Sequence, residues 1–174
     1  MTSSRNASRE NFIPLREFAQ KPSCGAADLS LLKTILVVDG NPINRNILSQ
    51  ILSEKYIILE AENGQIALEL LKKHHNRIAA VMLDLVMPVM DGYAMLEAIG
   101  KNYNYSNLPV VVTAVSGNDN ERKALSFGAW DFVSKPYDGD IILFRLQNAI
   151  ERSQFTALKQ LKYFIRMPFV YCVF

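Results

Sequence analysis

Four polar residues stand at the ends of apolar runs in this chain, and their side chains together suit phosphoryl transfer. Asp39 ends "ILVVD", Asp84 ends "VMLD", Thr113 ends "VVVT" and Lys135 follows "DFVS". A carboxylate can attack phosphorus and become an aspartyl phosphate, and a second carboxylate can hold Mg²⁺, which prefers oxygen ligands. A hydroxyl can hydrogen-bond a phosphoryl oxygen, and a lysine ammonium can neutralise phosphoryl charge.

Taken one at a time, these residues have ordinary structural explanations. An Asp after a strand is most often a helix N-cap or a turn residue, a Thr at a strand end fits β-propensity, and a Lys before Pro usually lies on the surface. Their shared position is more informative, because ligands of open parallel sheets bind beyond the carboxyl ends of the strands. The sequence has no Gly-rich phosphate loop, nucleophile elbow or HExxH motif to indicate a different chemistry.

The elements that must position these residues follow from the apolar pattern, which changes at Lys33. Apolar β-branched runs predict strands at 34–38, 56–59, 79–83, 110–113 and 132–134. Amphipathic stretches predict helices at 44–53, 64–73, 93–99, 118–127 and from residue 140 onward. Near-continuous apolar strands alternating with helices predict a doubly wound α/β domain with a parallel sheet covered on both faces. We expect a tail or linker at 1–32, this domain at 33–152, and at 153–174 a helical extension toward an output domain, should one follow.

Bulk composition excludes several classes of protein. The 174 residues are 49% hydrophobic and 21% charged, with a formal net charge of +2, which is too small to indicate a nucleic-acid or membrane surface. The N-terminus has no apolar signal sequence, and no apolar stretch reaches the ~20 residues of a spanning helix. Cys24 and Cys172 lack metal-site spacing. We therefore expect a cytoplasmic protein that contacts neither nucleic acid nor membrane.

Five segments carry a more specific signal: "ILVVDGNPINR", "EAENGQIALELL", "VMLDLVMPVMDGYAML", "VVTA" and "GAWDFVSKPY". Their content, order and spacing resemble the receiver domain of two-component response regulators, over roughly residues 33–152. The resemblance implies a flavodoxin-like fold of five parallel strands in the order 2-1-3-4-5. It also implies a phosphoacceptor domain rather than an enzyme, which takes a phosphoryl group from a histidine kinase or a phosphotransfer protein.

The same resemblance implies a role for each site residue. Asp84 would be the phosphoacceptor, and Thr113 and Lys135 would bind the phosphoryl group. Mg²⁺ would be held by Asp39, Asp84 and the backbone carbonyl of Val86.

Further positions resemble the switch and turn residues of the family. Phe132 occupies the place of an aromatic switch that moves with Thr113, although an ordinary core role explains it equally well. The Lys135–Pro136 bond would be cis, and Asp91–Gly92 would form a turn that opens the third helix.

Gly40 departs from the pattern, because the family has acidic residues at both positions of the turn after the first strand. Losing a carboxylate should weaken Mg²⁺ binding. Two hypotheses follow: the domain is phosphorylated with weaker metal dependence, or it is an atypical receiver that acts as a phosphorylation-independent interaction module. Phosphorylation that appears only in Gly40→Asp would contradict the first hypothesis.

The signal must be read by a surface or by another domain. The face formed by 118–127, 132–134 and the last helix is the surface most expected to change, and we expect a homodimer through the 118–150 face or the C-terminal helix. Other α/β enzyme classes fit poorly. An Asp-nucleophile hydrolase needs Asp-x-Asp where this chain has "DLV", and a flavin site would need a Ser/Thr/Gly-rich loop where it has "DGNPINR".

Overall fold

The computed structural model describes residues 32–74, 76–115 and 117–166. Residues 1–31 of the tail predicted at 1–32, the two cysteines, and residues 167–174 of the extension predicted at 153–174 lie outside these residues. The strands are β1 (Thr34–Val38), β2 (Ile57–Ala61), β3 (Ile78–Asp84), β4 (Val110–Val115) and β5 (Asp131–Lys135). The helices are α1 (Pro42–Leu52), α2 (Gly64–His74), α3 (Gly92–Gly100), α4 (Asn118–Ser126) and α5 (Gly139–Arg166), with a short 3-10 turn at Tyr103–Tyr105.

The strands form one parallel sheet in the order β2-β1-β3-β4-β5, which confirms the predicted topology. After β1 the chain builds outward to β2 at one edge of the sheet. It then returns to β3 on the other side of β1 and builds outward to β5 at the opposite edge. The topological switch point therefore lies between the carboxyl ends of β1 and β3, where open α/β sheets bind their ligands.

Helices cover both faces of the sheet, so the strands are apolar on both sides. On one face, α1 and α5 bury Leu48, Leu52 and Leu146 against β1, β3 and β4. On the other face, α2, α3 and α4 bury Leu71, Met95 and Ala124 against alternate residues of the same strands. These two layers hold the strand ends in fixed positions relative to one another.

The start of α1 and the end of β2 each lie two residues from the predicted position, for local reasons. α1 begins at Pro42 because the side chain of Asn41 caps it by accepting a hydrogen bond from Ile43 N. Proline fits the first helical position, where its missing N–H has no intrahelical partner to lose. β2 continues to Ala61 because pairing with β1 extends to Val38, and this pairing outweighs the low strand preference of Glu60.

α5 is continuous over 28 residues and crosses residue 152, the predicted end of the α/β domain, without a break. Its first half packs on the sheet, whereas Phe155 and Leu158 in its second half are exposed. In the ranges that the structure describes, no helix combines the length and apolar character needed to cross a membrane.

Candidate functional site

Strand register brings the predicted site residues to one edge of the sheet. Asp84, the last residue of β3, pairs with Thr113 of β4. Val38 pairs with Leu83, so that Asp39 emerges beside Asp84. Lys135 ends β5 opposite Val115, and its long side chain reaches back toward both carboxylates.

Lys135 joins the two carboxylates. Its Nζ lies 2.8 Å from Asp84 Oδ1 and 3.0 Å from Asp39 Oδ2. The side chains of Lys135, Asp84 and Asp39 are 19%, 8% and 1% exposed, respectively. Because all three are largely withdrawn from water, the ammonium is the local counter-charge for both acids.

Asp39 accepts hydrogen bonds from further groups that the sequence did not indicate. The backbone N–H of Asn41 donates to Oδ1 at 2.8 Å, and Asn44 Nδ2 donates to Oδ2 at 3.1 Å. The hydroxyl of Tyr137 donates to the same Oδ2 at 3.3 Å. Asp39 is thus a fully engaged buried carboxylate, and Asn41 rather than Asp39 caps α1.

Burial and the neighbouring charges shift the pKa values of the site. Burial raises the pKa of Asp84, as does the charge of Asp39, whereas the hydrogen bond from Lys135 opposes the rise. Burial alone would lower the pKa of Lys135, but its hydrogen bonds to Asp84 and Asp39 raise it above the ordinary lysine value. Burial also raises the pKa of Tyr137. At neutral pH, the lysine is therefore held as a cation between the acids.

The remaining predicted residues differ in how they are placed. Thr113 is completely buried, and its Oγ1 lies 3.4 Å from the hydroxyl oxygen of Tyr137. Phe132 is 6% exposed and packs in the core layer beneath α2, α3 and α4, so its ring is already buried in this structure. Val86 is 84% exposed, and its role through the backbone carbonyl stays a prediction.

Gly40 leaves room that a neighbouring loop fills. A Cβ atom built at Gly40 would lie 2.9 Å from Pro88 Cδ, closer than non-bonded carbon atoms approach. The loop between β3 and α3 therefore packs directly on the acidic turn, at the place where a second acidic side chain would begin. In the same loop, Val89 has a φ of 66°, a strained value for a β-branched residue.

The β3–α3 loop is also fixed at its far end. A Cβ at Gly92 would collide with the carbonyl oxygen of Asp84, so only glycine permits this close approach. Asp91 caps α3 through a 2.8 Å hydrogen bond from Ala94 N, in agreement with the structural role predicted for Asp91–Gly92. The Lys135–Pro136 bond is cis, as the resemblance implies.

Comparison with known proteins places this fold in one class. The family model described as "Response regulator receiver domain" matches residues 35–147. The chain therefore belongs to the response regulator receiver domain family, a family of signalling domains in two-component systems.

Particular relatives agree with this assignment. A probable cyclic di-GMP phosphodiesterase of Vibrio cholerae is 35% identical over 70% of this chain and 27% of its own length. The chemotaxis protein CheY of Halobacterium salinarum is 33% identical over 62% of this chain and 88% of its own length. A receiver domain structure from Clostridium thermocellum, 25% identical, matches with a TM-score of 0.66 over 72% of this chain and 99% of its own. The chain spans half or less of the length of the first curated relatives that it matches.

Proposed function

We propose that this domain accepts a phosphoryl group on Asp84 from a histidine kinase or a phosphotransfer protein, and that the modified site changes its interactions with a partner or an output domain. The observation that carries the proposal is the contact of one ammonium, Lys135, with both buried carboxylates. An ammonium in this position neutralises the Asp84 carboxylate before transfer. After transfer it can pair with an oxygen of the phosphoryl group that Asp84 then carries.

The residues of the chain support a simple transfer reaction. An oxygen of Asp84 attacks phosphorus, an O–P bond forms, and the N–P bond of a phosphohistidine breaks so that the bonding electrons remain on the imidazole nitrogen. Lys135 then pairs with a phosphoryl oxygen, and the hydroxyl of Thr113 turns to donate to another. Phe132 is already buried, so an inward swing of its ring is not required in this account.

The donor set fits a magnesium ion of reduced affinity. Mg²⁺ is commonly held by one or two carboxylates and several waters, and Asp39, Asp84 and the Val86 carbonyl would supply the protein ligands. No group of three His, Cys, Asp or Glu residues suited to a metal occurs in the described ranges, and the oxygens of Asp39 already accept hydrogen bonds from the protein. Bound Mg²⁺ would offset the negative charge of the phosphoryl oxygens.

A second candidate function is that of a phosphorylation-independent interaction module. The full engagement of Asp39 and the packing of Pro88 on Gly40 favour it, because both leave less room for a metal ion. Retention of Asp84, Thr113 and Lys135 in one cluster favours phosphorylation.

Intact-mass measurement after incubation with phosphoramidate and Mg²⁺ separates the two functions. We expect one added phosphoryl group that is lost on hydroxylamine treatment and absent from Asp84→Asn. Asp131→Asn, which removes a partly exposed carboxylate at the start of β5, is the matched control and should be modified normally. An unmodified wild-type protein would favour the interaction module.

A further inference from the structure

Tyr137 links two groups of the site that have different roles in the proposed reaction. Its hydroxyl oxygen lies 3.3 Å from Asp39 Oδ2 and 3.4 Å from Thr113 Oγ1. The residue follows the cis Lys135–Pro136 bond, and its partly buried ring packs against the core layer on the face of the sheet that α1 and α5 cover, which limits where the ring can lie. The contact spans the site from the carboxylate after β1 to the hydroxyl on β4.

The hydrogen-bonding capacity of the three groups explains the arrangement. A carboxylate only accepts, whereas a phenol and a threonine hydroxyl each carry one hydrogen and can also accept. Tyr137 therefore donates to either Asp39 or Thr113 at one moment, and a Thr113 hydroxyl that donates back to the phenol oxygen satisfies all three groups together. Because Thr113 is completely buried, its hydroxyl would be costly to leave without a partner.

We propose that Tyr137 is a positioning residue that holds the Thr113 hydroxyl in its unphosphorylated arrangement and so limits how readily Thr113 turns to a phosphoryl group. This inference rests on the proposed function, in which Thr113 must leave Tyr137 to donate to the phosphoryl oxygen. Phe132 cannot take this role, since it has no hydroxyl. The contact of Tyr137 with Asp39 does not depend on Thr113, so it stays available in both states.

The test is Tyr137→Phe, which removes the hydroxyl and keeps the ring. In unmodified protein labelled at threonine methyl groups, we expect the Thr113 resonance to shift toward its position in wild-type protein loaded with beryllofluoride and Mg²⁺. We also expect beryllofluoride to bind about threefold to tenfold more tightly, the factor that corresponds to one net hydrogen bond lost from the resting state. Tyr103→Phe, at a tyrosine that is 90% exposed, should change neither measurement.

The outcomes separate this inference from the proposed function. If beryllofluoride binds normally to both proteins but neither the Thr113 resonance nor the affinity changes, the role of Tyr137 is overturned and phosphorylation stands. If neither protein binds beryllofluoride or becomes phosphorylated, the proposed function is overturned, and with it the functional part of this inference. Should the Phe variant unfold, 3-fluorotyrosine at position 137 keeps the ring and the hydroxyl but makes the phenol oxygen a weaker acceptor for the Thr113 hydroxyl. It should move both readouts in the same direction as Tyr137→Phe by a smaller amount, and unchanged values would overturn the role.

Discussion

Replacing Lys135 by Met should destabilise the unmodified domain strongly, because the substitution leaves two buried carboxylates without a counter-charge. Removing one partner from a buried ion pair costs about 3–5 kcal/mol. The side chain of Lys135 is 19% exposed, so some water can reach the vacated position, and we expect about 3 kcal/mol, the low end of that range. In a domain of this size, that corresponds to a fall in Tm of about 10 °C.

Urea denaturation followed by the fluorescence of Trp130, the single tryptophan of the chain, measures this loss. The matched control is Lys101→Met. Lys101 pairs with Glu97 at 2.6 Å, a shorter distance than either contact of Lys135, but both side chains are more than half exposed. An exposed pair four residues apart on a helix contributes only about 0.3–0.5 kcal/mol, so burial and not distance should decide the difference between the two variants.

Two further results follow from the same reasoning. Lys135→Met should cost less in an Asp84→Asn background, because only one unpaired carboxylate then remains. The loss in free energy of unfolding caused by Lys135→Met should also shrink as the pH falls from 7 toward about 5. Without Lys135, the pKa of Asp84 rises further above its unfolded value, so the folded state binds the proton first and gains stability on acidification. A loss below 0.5 kcal/mol at pH 7, or equal losses in both backgrounds, would refute the assignment of Lys135 as the counter-charge.

Gly40→Ala and Gly40→Asp should both lose about 1–3 kcal/mol of stability, because any Cβ there meets Pro88 Cδ at 2.9 Å. Only Gly40→Asp should bind Mg²⁺ more tightly in calorimetric titration, since it alone adds a carboxylate; wild-type stability in the Ala variant would contradict the steric argument. Asp91→Ala should lower the urea midpoint by the equivalent of about 1 kcal/mol, because the cap of α3 is removed. An unchanged midpoint would mean that water replaces this cap without loss.

Much of the fold could be predicted from the sequence because the strands are buried on both faces. Their near-continuous apolar runs are readable without tertiary information, and the residue that follows each run falls at a known edge of the sheet. The start of α1 was missed although Asn41 and Pro42 carry a recognised signal. The end of β2 depends on pairing with β1, which a single segment does not reveal.

The site was predicted in part for the same reason. The polar residues at the strand ends could be identified from the apolar runs that precede them. Asn44 and Tyr137 contact Asp39 from a helix and from a loop after β5, and the alternation of apolar and polar residues gives no sign that these two side chains reach the site. Gly40 was interpreted from sequence as the loss of a ligand. The structure adds that Pro88 packs against it, which depends on the path of a loop and could not be read from residue spacing.

The central claim is that Asp84 is the residue that receives the phosphoryl group. Borohydride reduction of protein treated with phosphoramidate and Mg²⁺ converts an aspartyl phosphate to homoserine, and peptide mass spectrometry then locates it. The account predicts homoserine at position 84, at a level that falls when Lys135 is replaced by Met. Homoserine at Asp39 or another carboxylate, or none in a folded protein, would contradict it.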